Sequence, residues 1–255
     1  MDITDRVEAF YNSFALEKGV IGYSLYGKPI YYFCVEKTAK PVIIATYAIH
    51  AREYITAYLA LKQINDFISR GERGTVFFLP LVNPDGVKIA LNHNPLYKAN
   101  GRGVDLNVNF DARWGTGKKN VFYPAEENYV GKSPFSEPET RALKDFTLAV
   151  KPDITLSYHA KGEEIYYEFF QTGERLFRDE RIAVALAACT GYKAKRITGS
   201  AGGYKDWCIE SLKIPSFTIE VGGEELSHPI GEEHAEEIFV KNANVFKVLT
   251  ENEWN

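Results

Sequence analysis

Apolar and β-branched residues gather in short runs over 29–36, 41–48, 75–82, 153–159, 164–170 and 216–221, and these runs predict strands. Apolar residues recurring at three and four positions predict helices over 52–70, 136–151, 180–190, 203–212 and 234–251. The two ends, 1–20 and 234–255, read as outer helices. Ser136-Glu137-Pro138-Glu139 reads as a capping box with a proline in the first turn. Strands and helices alternate through the middle of the chain. The expectation is an α/β fold: a mixed, largely buried β-sheet with helices on both faces. Neither a repeat nor a Pro/Gly/Ser-rich linker interrupts the pattern, so residues 1–255 read as one domain. In such folds ligands bind beyond the carboxyl ends of the strands. His50, His159 and Glu220 each lie at or just past such an end.

The composition narrows the function classes. A net charge of -4 disfavours nucleic acid as a partner. The apolar runs fall short of a membrane span, and the acidic start Met1-Asp2-Ile3-Thr4-Asp5 lacks a signal-peptide pattern. Cys34, Cys189 and Cys208 are odd in number and scattered, with neither disulfide-framework nor zinc-like spacing. A reducing cytoplasm is the expected location. Nothing in the chain points to a membrane or to an obligatory protein partner.

His50-Ala51-Arg52-Glu53 carries the chemistry. It follows a strand-like run and heads a helical pattern. A His and a Glu three residues apart at a helix start turn toward one point. Imidazole nitrogen and carboxylate oxygen are zinc ligands, and a catalytic zinc commonly keeps three protein ligands and one open position. His159 is the candidate third ligand; His93, His228 and His234 read as surface or capping residues. Zinc-bound histidines usually donate their second ring N–H to a carboxylate, and Asp105 is the candidate partner of His50. Glu220 interrupts the apolar run Phe217-Thr218-Ile219, where a charge is costly unless paired or used; a salt bridge or a catalytic base would account for it.

These segments resemble, in order, those of the zinc carboxypeptidases of the carboxypeptidase A superfamily. His50 to Glu53 resembles the family's His-x-x-Glu. Asn83-Pro84-Asp85-Gly86 resembles its Asn-Pro-Asp-Gly turn, and Gly103 to Phe110 its Gly-Val-Asp segment. Phe135 to Thr140, Ser157-Tyr158-His159 and Phe217 to Glu220 resemble the helix start, third-ligand and general-base segments. The resemblance implies a zinc peptidase holding one Zn²⁺ on His50, Glu53 and His159, with Glu220 moving the proton from water to the leaving amine. It also implies that Arg52 and Asn107 contact substrate carboxylate or carbonyl groups, and that Lys98 or Arg102 stabilises the oxyanion.

The chain departs from the family at Val108, where an arginine normally grips the C-terminal carboxylate. The family's mobile tyrosine is also missing; its place falls near Thr198. Lys205, just before Asp206-Trp207, would favour an acidic leaving residue if it points into the site; pointing outward it says nothing. Bacterial relatives cut γ-D-glutamyl bonds to diamino acids in cell-wall peptides. The expected substrate is therefore a small peptide or muropeptide, with Lys205 receiving the distal carboxylate of diaminopimelate and Arg52 the main-chain one. An N-acyl amino acid amidohydrolase, an ordinary carboxypeptidase preferring acidic residues, and a peptide-binding protein without turnover are the alternatives.

Overall fold

The computed structural model describes residues 1–252 and Trp254. The strands are β1 (Lys18–Tyr23), β2 (Pro29–Glu36), β3 (Val42–Thr46), β4 (Thr75–Leu79), β5 (Ile154–Ala160), β6 (Glu164–Tyr166), β7 (Lys193–Lys195) and β8 (Ser216–Val221). They form one mixed sheet in the order β1-β2-β4-β3-β5-β8-β6-β7. Its centre, β4-β3-β5-β8, is parallel, and the flanks are joined to it by antiparallel pairings. Every residue of β5 is buried, as a parallel strand covered on both faces requires.

The helices are α1 (Ile3–Ser13), α2 (Ile55–Ser69), α3 (Pro84–Asn92), α4 (Pro138–Val150), α5 (Gly173–Thr190), α6 (Tyr204–Trp207), α7 (Ala235–Asn242) and α8 (Val245–Glu251). Strand side chains alternate between faces. Ile43, Ala45, Ile154, Leu156 and Tyr158 pack with α2, α5, α7 and α8. Ile44 and Leu79 pack on the other side with Leu143 of α4 and with Tyr204 and Trp207 of α6. Tyr47 and Tyr158 stack at 4.7 Å, and Gln63 bonds both hydroxyls, so these two polar tips are satisfied inside the core.

The sheet with helices on both faces is as expected, but several boundaries differ. The 1–20 helix stops at Ser13, and β1 pairs antiparallel with β2. That strand holds Gly19 and Gly22 and is only half-buried, so pairing, not pattern, makes it a strand. α5 begins at Gly173, upstream of the expected 180, because its first two turns carry only the adjacent Leu176 and Phe177 and so lack an apolar stripe. The 234–251 run is broken between Asn242 and Val245; positions 253 and 255 lie outside the described residues. The capping box at Ser136 does not form: Glu137 is the N-cap, and Ser136 Oγ instead bonds Glu137 Oε1. Among the described residues no helix is long and apolar enough to cross a membrane.

Candidate active site

The end of β3 leads into His50, and Ala51–Glu53 form one 3₁₀ turn before α2. The sequence pattern suggested an α-helix from 52; instead His50 is the extended N-cap of a 3₁₀ turn, which brings the Glu53 carboxylate back to His50 Nδ1. Asn83, the N-cap of α3, fixes the segment before them: its Nδ2 donates to Ile49 O at 3.1 Å and to Ala99 O at 3.0 Å. Gly86 has no room for a side chain, since a Cβ there would sit 2.3 Å from Ala99 O. The Asn-Pro-Asp-Gly motif is thus a buried buttress under the His50 segment as well as a helix start.

His159 comes from β5 and Glu220 from β8, in direct register across the parallel pair. Register partners point to the same face of a sheet. His50 Nδ1 lies 2.9 Å from Glu53 Oε1, and His159 Nδ1 lies 3.0 Å from both Glu53 Oε2 and His50 Nδ1. All three side chains are buried. Two imidazole nitrogens and a carboxylate facing one point repel unless a proton or a cation sits between them. Ligand atoms about 2.0–2.1 Å from a tetrahedral zinc stand about 3.3 Å apart, so the donor set and its spacing fit zinc. Ala160 N–H donates to Glu53 Oε2 at 3.3 Å and helps hold the carboxylate.

Asp105 backs this arrangement from the 3₁₀ turn Leu106–Val108. His50 Nε2 is 3.2 Å from Asp105 Oδ1, although its ring is not aligned for a regular hydrogen bond and the nitrogen is otherwise unpartnered. Asp105 also accepts from Asn107 N–H and Asn128 N–H and pairs with Lys98 Nζ at 2.9 Å. Burial alone would raise the Asp105 carboxyl, but Lys98 and His50 hold it well below the usual carboxylate range. Burial lowers His50, yet Glu53 and Asp105 outweigh it and leave the imidazole raised. Burial pushes Glu220 up to about 8, aided by Glu53 and Glu164 and opposed by His159 and Lys98. A carboxyl tuned toward neutrality suits a group that must both accept and return a proton.

A cleft of about 520 Å³ opens over these residues. Arg52, Lys98, Asn107 and Val108 line it together with His50, His159 and Glu220. Arg52 Nη1 donates to Leu96 O at 3.2 Å, and Nη2 lies 3.4 Å from Glu127 Oε2. Asn107 Oδ1 accepts from Tyr204 N–H at 3.0 Å, which turns its amide nitrogen toward His159.

Two predicted site residues lie elsewhere. Arg102 is directed to Glu137, 3.1 Å away, and does not line the cleft. Lys205 is 5% exposed, pairs with Asp206 Oδ1 at 2.7 Å and donates to Glu168 O at 2.8 Å. Its charge is consumed inside the fold, so it cannot receive a substrate carboxylate. Lys118, Lys119, Glu127, Asn128 and residues 197–200 line the cleft and were not anticipated. They sit on loops without periodicity; the Lys118-Lys119 doublet and the place of the missing tyrosine near Thr198 were their sequence signals.

The sequence profile described as "Zinc carboxypeptidase" matches residues 4–255. Gamma-D-glutamyl-L-diamino acid endopeptidase 1 of Lysinibacillus sphaericus is 30% identical over 250 residues, covering 83% of this chain and 62% of that protein's own length. Bovine thrombin-activatable fibrinolysis inhibitor, solved with tick carboxypeptidase inhibitor, superposes with a TM-score of 0.81 at 21% identity, over 98% of this chain and 95% of the other. Murein-tripeptide amidase from Escherichia coli O157 gives 0.66 at 24% identity, over 96% of both chains. The fold is therefore shared with both of these solved chains. With its whole length matched and a His-Glu-His cluster at the strand ends, the chain belongs to the zinc carboxypeptidase family of metal-dependent hydrolases.

Proposed function

We propose that residues 1–255 act as one zinc peptidase domain that cleaves the amide bond between γ-D-glutamate and a diamino acid in small muropeptides. The convergence of His50, Glu53, His159 and Glu220 on one cleft supports the hydrolytic chemistry. The first three would hold one Zn²⁺, which when bound would supply an activated water and a Lewis acid for the scissile carbonyl. Glu220 takes the proton from the attacking water and delivers it to the leaving amine. Asp105 holds His50 in the tautomer whose Nδ1 faces the site. Lys98, rather than Arg102, stands in the cleft for the developing oxyanion. Arg52 and Asn107 hold substrate carboxylate or carbonyl groups.

The substrate class rests on two supports. Val108 lines the cleft where a carboxylate-gripping arginine would stand, and the Lysinibacillus relative bears the name of such an endopeptidase. A cytoplasmic location is consistent with three unpaired cysteines, two of them buried.

Incubating zinc-loaded protein with L-Ala-γ-D-Glu-meso-diaminopimelate tests the reading. Diaminopimelate should be released, and Glu220→Gln should lower turnover about 10³-fold while zinc content stays at one ion. Cleavage of a plain C-terminal peptide, or of an N-acyl amino acid, with the muropeptide untouched would replace it with one of the other hydrolases.

A further inference from the structure

With Lys205 buried, the distal carboxylate of a diaminopimelate-like leaving residue needs another cation. Four basic side chains line the cleft: Arg52, Lys98, Lys118 and Lys119. Lys98 is bound to Asp105 and Arg52 to Glu127 and Leu96 O. Among the described residues, Lys118 and Lys119 have neither an ion-pair nor a side-chain hydrogen-bond partner. Both are exposed.

Their position is built by the backbone. Asn120 N–H bonds Gly117 O at 3.1 Å, which places the two lysines at the centre of a β-turn. Lys118 N–H bonds Gly199 O at 2.9 Å and ties this turn to the 197–200 loop on the cleft wall. Gly199 has φ +84°, and a Cβ there would lie 2.8 Å from Lys118 Cδ. A glycine is therefore needed for the lysine stem to cross that loop.

We infer that Lys118 and Lys119 are specificity residues that bind the distal carboxylate of the leaving amino acid, the anion that the buried Lys205 cannot reach. This rests on the proposed peptidase reading. Arg52, adjoining Glu53 in sequence, stays near the reacting bond and serves the main-chain carboxylate. The lysines reach from the wall, where a longer side chain would end. An ammonium–carboxylate contact is a charge-assisted one, and two of them in a partly enclosed cleft discriminate by about tenfold or more.

The experiment compares two substrates that differ only in this carboxylate: L-Ala-γ-D-Glu-meso-diaminopimelate and L-Ala-γ-D-Glu-L-lysine. The wild type should prefer the first. Lys118→Ala/Lys119→Ala should lose about tenfold in kcat/KM on the first, through KM, and change little on the second. Lys118→Arg/Lys119→Arg should retain the preference. Equal losses on both substrates, or unchanged preference in the alanine variant, would overturn the assignment. Calorimetric binding of free meso-diaminopimelate and free L-lysine to zinc-loaded wild type and alanine variant gives a second readout, independent of turnover. If the wild type cuts neither substrate, the proposed reaction fails, while an alanine-sensitive preference for diaminopimelate in this binding still supports the lysines; its absence overturns them.

Discussion

His50, Glu53, His159 and Glu220, on the floor of the cleft, stand on strand ends and a single helical turn, the first three buried and braced against one another. Lys118, Lys119 and residues 197–200, on its wall, stand on loops joined by a backbone hydrogen bond. The floor sets the chemistry and tolerates little displacement, because zinc accepts ligand distances only within a few tenths of an ångström. The wall, which carries the proposed specificity lysines, can vary, because loop residues are not committed to the core. Lys98 and Lys205 sharpen the contrast. One lysine touches Asp105 at the floor and still borders the cleft; the other is swallowed by Asp206 and Glu168 O.

The division can be broken most directly at the floor. His159→Ala should bring zinc content from one ion to near zero and turnover to background, measured by metal analysis and peptide release. Retained zinc would mean that the cluster is not the metal site. Lys205→Ala should cost about 3 kcal/mol of stability by leaving Asp206 unpaired in a buried place. It should not alter the ratio of rates on acidic and neutral leaving residues; a changed ratio would return Lys205 to the wall.

Smaller effects test the bracing. Asp105→Asn should weaken zinc binding about 10–100-fold in a chelator competition. An unchanged affinity would show that Asp105 serves only its turn. The metal-free protein should also lose stability as pH rises. The Glu220 carboxyl titrates at about 8 when folded against an ordinary 4.5. The folded state then binds the extra proton between these values, so stability is full below the lower one and is lost through the upper one. His50, raised as well, adds the same sign. Denaturation from pH 5 to 8 should show this slope, and Glu220→Gln should flatten it; identical slopes would remove Glu220 as its source. The smallest effect belongs to Arg102→Ala. Arg102 is itself half-exposed, and the buried Glu137 keeps the hydrogen bonds from Asn100 Nδ2 and Ser136 Oγ, so the loss should matter by about 1 kcal/mol, with catalysis unaffected.

Much of the floor was legible in the chain. His50 and Glu53 are three apart after a strand, a spacing set by local helix geometry, and His159 and Glu220 close apolar strands. What was illegible has two physical causes. β1 and the first turns of α5 lack an apolar stripe and depend on their neighbours. The choice between Lys98 and Arg102 turned on which buried acid each one meets: Asp105 drew Lys98 to the cleft and Glu137 drew Arg102 away from it.

The sequence by itself determined a mixed α/β sheet and the His50–Glu53 pair, because periodicity and short-range spacing act through the local backbone; His159 as third ligand and Glu220 as base stood as candidates, whose roles came from the resemblance to a family. Only the tertiary structure decided which cations border the cleft. A lysine's four-carbon stem can turn inward or outward from the same backbone, and the partner that captures it lies far away in the chain. For Lys205 that partner includes the Glu168 carbonyl, 37 positions distant. For Lys118 the long-range neighbour is Gly199, whose carbonyl takes the Lys118 N–H and whose bare Cα lies beside the stem.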